Sequence, residues 1–372
     1  MKIVPFELER LLSVWQNQVE YDFTESGVHP IHLHELVTRE EYYALFDDIQ
    51  LRYIQTNGPL PVKEAICELY EGAHPDNILV TNASSEANFL ATWHFIEPGD
   101  EVVALFPTYM QVPGLAQTFG ARIKPLFLQE ENSWAPNLDR LEDMVSERTR
   151  FIYLANPNNP TGAILTEGEM ARIIAVAAQH NTWIIADEVY RGAELDGRMT
   201  PSFWGRYDKL IVTASLSKAF TAPGLRLGWM VGPEDKIHQL WGYSDYTTIT
   251  TNAISARLAC LALRPESRKR ISNRLIEISK DNLQALKQWI DHHSGLFRLV
   301  PPRIGGFAFV GYNIDINSTD LVLRIKDEQS VLIVPGEAAG MDGFVRIGYG
   351  NPQLLSGLDR INKTILSLKT DT

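Results

Sequence analysis

The sequence predicts an α/β protein in which a large domain with a mostly parallel sheet is joined to a smaller α+β domain. Three observations carry that expectation. Apolar, β-branched runs alternate with helical patterns from Glu101 to Thr213, the order that gives right-handed crossovers and a parallel sheet covered on both faces. Polar, chemistry-bearing clusters follow several strand ends, at the sheet edge where such folds bind ligands. After Pro233 the pattern turns helical, and a long run from about Glu266 to His292 should bridge two lobes. The expected division is 1–45 as an N-terminal segment joining the small domain, 46–270 as the large domain, and 271–372 as the small C-terminal domain.

The elements follow in order. From Phe6 to Gln18, Phe6, Leu8, Leu11, Leu12 and Trp15 lie among Glu7, Glu9 and Arg10 as in an amphipathic helix. Tyr21 to His34 is turn-rich, with Gly27 and Pro30. His29, His32 and His34 beside Glu35 match no zinc-ligand spacing, and His-x-His alternation equally lines one face of a strand, so no metal is expected. Tyr53 to Ile66 runs from a Gly-Pro turn into a helix. Ile78 to Thr81 reads as a strand leading through Asn82-Ala83-Ser84-Ser85-Glu86 into a helix that reaches Trp93. Small hydroxyl residues at such a start serve as ordinary caps and also leave amides free for an anion. Strands are expected at Glu101 to Phe106, Arg122 to Leu128, Phe151 to Leu154, Trp183 to Ala186 and Lys209 to Thr213, with helices at Leu138 to Val145 and Glu167 to His180. In the remainder, strands near Phe307 to Tyr312, Val331 to Val334 and Phe344 to Ile347 surround short helices.

Composition narrows the partners. The chain has 372 residues, enough for two domains, and a formal net charge of -12, which argues against nucleic acid or an anionic membrane as the main partner. Two cysteines, Cys67 and Cys260, fit a reducing compartment and exclude a disulfide scaffold. The first residues lack a long apolar stretch and no apolar run approaches bilayer-spanning length, so a cytoplasmic protein is expected.

The chemistry centres on Ser215-Leu-Ser-Lys-Ala-Phe-Thr-Ala-Pro-Gly-Leu-Arg-Leu-Gly228, between the strands ending at Thr213 and beginning at Leu227. Lys218 there can act as an amine nucleophile and form a Schiff base. Ser215, Ser217 and Arg226 would give a nearby phosphate hydroxyl donors and a forked cation. A lysine that condenses with an aldehyde beside a phosphate cradle describes a pyridoxal phosphate site. Three further clusters fall at the same edge: Pro107-Thr108-Tyr109, Asn156-Pro157-Asn158-Asn159-Pro160-Thr161-Gly162 and Asp187-Glu188-Val189-Tyr190. Each alone also fits a cap, a turn or a core tyrosine.

In their order and complementarity these segments resemble the fold-type I pyridoxal phosphate enzymes, specifically the class I/II aminotransferase family, over essentially the whole chain. The resemblance implies pyridoxal 5'-phosphate on Lys218, which would then serve as acid and base at the substrate Cα. Asp187 would keep the cofactor's ring nitrogen protonated. Opposite charges ~4 Å apart attract by roughly 4 kcal/mol at an effective dielectric of about 20, enough to hold that proton. Tyr190 and Asn159 would bond the ring hydroxyl, Tyr109 would stack on the ring, and Ser84, Ser85, Ser215, Ser217 and Arg226 would hold the phosphate. Tyr53 matches the family tyrosine that reaches the neighbouring subunit's phosphate, which implies a homodimer with shared active sites. Arg346, in Phe-Val-Arg-Ile-Gly-Tyr, matches the arginine that clamps the carboxylate of a free amino acid substrate, with Gly27 close to the same carboxylate.

Some residues depart from an ordinary amino-transferring member. Thr221-Ala222 and Ala83 stand where glycine would be usual, and the glycines from Gly305 to Gly311 are expected to open room near the substrate. Within the family, Glu25-Ser26-Gly27-Val28-His29 and Asp245-Tyr246-Thr247-Thr248 resemble enzymes that dehydrate and cyclise a hydroxylated arginine to a cyclic guanidine amino acid. In that chemistry His29 would assist proton transfer, and Glu9 or Glu7 would bind a guanidinium. Transfer of an amino group to a 2-oxo acid is the alternative. A cofactor-binding DNA regulator is disfavoured by the acidic charge.

Overall fold

The computed structural model describes residues 2–47 and 49–370. Its centre is an eight-stranded sheet in the order Ile78–Thr81, Gly228–Val231, Leu210–Ser215, Trp183–Asp187, Thr149–Ala155, Glu101–Phe106, Arg122–Gln129, Ala135–Pro136. The five strands from Leu210–Ser215 to Arg122–Gln129 pair in parallel, and the outer strands Gly228–Val231, Ile78–Thr81 and Ala135–Pro136 pair antiparallel. The inner strands are almost wholly buried because helices cover both faces, and this is why they read as continuous apolar runs rather than alternating ones. Glu167–Gln179 is held at its start by Thr166 and Glu169, whose side chains exchange hydrogen bonds with each other's backbone.

A second, four-stranded antiparallel sheet has the order Phe297–Leu299, Phe307–Tyr312, Phe344–Gly348, Val334–Pro335. It packs with the helices Ser318–Gln329 and Leu354–Thr370. The strand expected over Val331 to Val334 is instead two short pieces. Val331–Leu332 pairs in parallel with Tyr21–Asp22, and Val334–Pro335 pairs antiparallel with Phe344–Gly348. A single apolar run thus serves two sheets, and the first piece ties the N-terminal segment to the C-terminal part of the chain.

The helix Pro265–His292 spans both cores. Ile271 and Leu275 join the core of the large sheet, whereas Leu283, Leu286 and Ile290 join the second core. Leu36, Val37 and Leu45 pack into the large core. The glycines near Gly305 do not open space as expected. A Cβ at Gly305 would lie 2.3 Å from the Ser279 hydroxyl, and one at Gly306 (φ +112°) would lie 2.9 Å from the Gly27 Cα. They let the second sheet press against the long helix and the Gly27 segment. No described helix is long and apolar enough to cross a membrane.

Candidate active site

A cavity of about 580 Å³ lies beyond the carboxyl ends of the parallel strands, lined by side chains from both sheets and by the helix Glu7–Trp15. Asp187 is the last residue of its strand and is buried. It accepts hydrogen bonds from the Asn88 side chain (3.0 Å) and the Val189 amide (3.1 Å), and Asn88 in turn accepts from the Thr213 hydroxyl at 2.8 Å. Burial raises the Asp187 carboxyl above the usual carboxylate range, opposed by those hydrogen bonds. A buried carboxylate with no cation among these partners is suited to a protonated ring nitrogen.

Lys218 follows Leu210–Ser215 and projects into the cavity. Its Nζ stands 2.5 Å from Glu25 Oε1. Burial works against the ammonium, but the Glu25 carboxylate beside it holds Lys218 above its ordinary value. The same pairing holds the Glu25 carboxyl below its ordinary value. Tyr190 is buried, and its hydroxyl donates to the Ser26 hydroxyl at 2.7 Å.

Arg346 comes from the second sheet and is 3% exposed. Its Nη1 donates to Asn159 Oδ1 (2.9 Å) and its Nη2 to the Thr24 carbonyl (2.6 Å), while its buried Nε has no protein partner among the described residues. A guanidinium with one edge anchored and a donor left over is set to receive a carboxylate. Across the cavity the Tyr109 hydroxyl donates to Glu9 Oε1 at 2.8 Å and the ring contacts Phe6, so the N-terminal helix roofs the site.

The end of the cavity where the resemblance expects the phosphate is built by a tight crossing. Ala83, at the start of the helix Ala83–Phe95, has φ 65°, and the adjacent Gly228 lies so close that a Cβ there would stand 2.4 Å from the Ala83 carbonyl carbon and 2.5 Å from the Ser84 amide. Thr221 (φ 50°) and Arg226 (φ 46°) are also left-handed. Ala83 and Thr221 therefore carry a backbone conformation that glycine adopts at less cost, at two positions where the resemblance expects it. Ser84, Ser85, Ser217 and Arg226 line the cavity there, giving hydroxyls, a cation and a helix N-terminus. The residues present thus fit an aldehyde-bearing phosphorylated pyridine.

Not every expected residue joins them. Ser215 is buried with its hydroxyl accepting from the Ser217 amide, and it does not line this cavity. His29 lies outside the lining, with its Nδ1 3.4 Å from the Gly350 carbonyl and its own carbonyl bound by Arg274. Gly27 borders Lys218, since a Cβ on it would lie 3.9 Å from the lysine Cδ. Tyr53 is 78% exposed and away from the cavity of its own chain. The rings of His32 and His34 stack, and among the described residues no group of three or more His, Cys, Asp or Glu side chains could hold a metal ion.

The sequence names Glu25 and Ser26 only as part of the segment Glu25 to His29 and gives them no role, and it does not single out Asn88 or the network around Glu86. The Glu86 carboxylate accepts from the Asn82 amide and from the hydroxyls of Thr247 and Thr248, so the segment after Ser244 is fastened to the start of the helix Ala83–Phe95. Asn88 falls inside the helix that Ser84 and Ser85 begin, one turn on, and was findable by helical spacing.

The sequence pattern of aminotransferase class I and II matches residues 29–358. The chain belongs to that family. Its fold is therefore that of the fold-type I enzymes and its cofactor is pyridoxal phosphate. Capreomycidine synthase of Streptomyces vinaceus is 30% identical over 358 residues, covering 94% of this chain and 90% of that one. An aspartate aminotransferase of Streptomyces avermitilis is 26% identical, covering 86% and 82%. A crystal structure of a PLP-dependent aminotransferase from Streptococcus suis superposes with a TM-score of 0.92 at 32% identity, covering 99% of both chains.

Proposed function

We propose that this aminotransferase-family enzyme acts on a free amino acid with a cationic side chain, dehydrating and cyclising a hydroxylated arginine to a cyclic guanidine amino acid. The observation that carries this reading is the charge left in the cavity. Its ionisable lining residues are Glu9, Glu25, Asp187, Lys218, Arg226 and Arg346, besides the tyrosines. Asp187 is matched to the ring nitrogen, Arg226 to the phosphate, Arg346 to the substrate carboxylate, and Lys218 to the Schiff base. Glu9 and Glu25 remain, and two carboxylates favour a guanidinium while repelling a dicarboxylic amino acid. The likeness to capreomycidine synthase over nearly the whole chain supports the same substrate class.

When bound, pyridoxal phosphate withdraws electrons from the substrate Cα. The protein's residues supply the rest. Arg346, held by Asn159 and the Thr24 carbonyl, fixes the carboxylate and thereby which Cα bond faces Lys218. Lys218 takes and returns the proton at Cα. Asp187 would keep the ring nitrogen protonated, Ser84, Ser85, Ser217 and Arg226 would hold the phosphate, Asn159 and Tyr190 would bond the ring hydroxyl, and Tyr109, whose hydroxyl donates to Glu9, would stack on the ring. The enzyme works in the cytoplasm as a homodimer in which Tyr53 completes the neighbouring site.

Amino transfer to a 2-oxo acid is the second reading, supported by the aminotransferase relatives. Titration of the cofactor absorbance with amino acids under non-turnover conditions tests the substrate class. Arginine or its hydroxylated forms should saturate at least tenfold below aspartate, and tighter binding of aspartate would overturn the reading.

A further inference from the structure

Glu25, paired with Lys218, has no place in the roles above beyond its charge. The backbone of the Glu25 segment is fixed on both sides. The Thr24 carbonyl is bound by Arg346, the Ser26 hydroxyl by Tyr190, and a Cβ at Gly348 would stand 2.3 Å from the Glu25 carbonyl. The Glu25 side chain is 45% exposed because it opens into the cavity. Oε1 also accepts from the Ser26 amide at 3.0 Å. The charged and titratable groups around it are Lys218, Arg346, Tyr190 and Asp22, with Glu9 on the roof.

We propose that Glu25 is a further catalytic residue, the acid that protonates the departing hydroxyl while Lys218 removes the Cα proton. The inference rests on the dehydration reading above. Lys218 Nζ must reach the hydrogen on Cα, and Glu25 Oε1 stands one hydrogen bond, 2.5 Å, beyond it. That offset is about the distance from Cα to a substituent on the neighbouring carbon, and the proposal accordingly places the departing hydroxyl on Cβ.

The pair holds one shared proton. With that proton on Glu25, Lys218 is a neutral amine and takes the hydrogen from Cα. The electron pair of the broken C–H bond forms the Cα–Cβ double bond. The Cβ–O bond breaks, and the hydroxyl leaves as water with the Glu25 proton. Lys218 is then an ammonium and Glu25 a carboxylate, the ion pair that the structure shows. In the second half a guanidine nitrogen bonds to Cβ and gives its proton to Glu25, while Lys218 returns its proton to Cα. One water is lost, the pair is restored, and no oxidant or acceptor is consumed.

The test uses the Glu25→Gln holoenzyme beside the wild type, with a β-hydroxylated arginine in deuterated water. A retained cofactor band shows that the variant is folded and loaded. Removing the carboxylate should move the pH titration of that band downward by about one unit or more, since a negative neighbour stabilises the protonated Schiff base. Exchange of the Cα hydrogen should stay within about tenfold of wild type, because Lys218 is intact, while water release should fall ~100-fold or more. Glu25→Asp should recover part of that loss. Water release by Glu25→Gln at the wild-type rate, or exchange and water release falling together, would overturn the role of Glu25 alone. A wild-type enzyme that releases no water from this substrate would instead defeat the dehydration reading on which it rests.

Discussion

At the residue scale, the groups legible in the sequence are those that follow a strand end. Lys218, Asp187 and Tyr190 stand just past apolar runs, and a parallel sheet sends those positions to one edge. The pairing of Glu25 was not legible, although its segment was, because its partner Lys218 is 193 residues away. His29 shows the converse, since a residue chosen by neighbourhood turns toward the Gly350 carbonyl and not into the cavity. Lys218→Ala should abolish the Schiff-base absorbance and turnover, and an unchanged spectrum would refute the assignment of the lysine. Arg346→Met should raise the KM for the amino acid by about 10- to 100-fold, the loss of one charged hydrogen-bonded clamp, with the cofactor spectrum unaltered.

At the element scale, strands and long helices followed from their periodicity, and errors came where one run served two partners. Val331 to Val334 has the apolar content of one strand, but two sheets share it. Gly305 and Gly306 suggest open space in the sequence because glycine lacks a side chain, whereas their neighbours fill that space. The close approach of Gly228 to Ala83 and Ser84 gives a direct check. Gly228→Ala would push a methyl into the Ala83–Ser84 backbone, so cofactor affinity should drop at least about tenfold in equilibrium titration. Ala83→Gly, which relieves the left-handed φ of 65°, should instead stabilise the protein by about 0.5–1 kcal/mol in denaturant unfolding. Behind Asp187, burial pushes the Glu188 carboxyl up to about 7 although Arg191, the Phe203 amide and the Ser202 hydroxyl oppose it. Between the unfolded value near 4.5 and that of the folded state, the native protein holds the extra proton. Its stability should therefore fall as pH rises through that window, by about 3 kcal/mol from this group. Thermal unfolding at pH 5 and pH 8 checks the sign, and Glu188→Gln should flatten the slope.

At the scale of the whole molecule, the bridging helix Pro265–His292 and the mostly parallel sheet were visible in the sequence, because both depend on long, strongly periodic stretches. The antiparallel outer strands were not, since strand direction is set by connections rather than by composition. The homodimer proposed here would bring Tyr53, exposed on its own chain, to the partner's phosphate site. Tyr53→Phe should then weaken cofactor binding by about tenfold while sedimentation still reports the wild-type assembly. Dehydration by this aminotransferase fold is decided by mass analysis of its product. Purified holoenzyme is incubated with hydroxylated arginine, with and without a 2-oxo acid. A product lighter by one water, formed equally without the acceptor, is the expected result. A keto acid that forms only when the 2-oxo acid is present would contradict it.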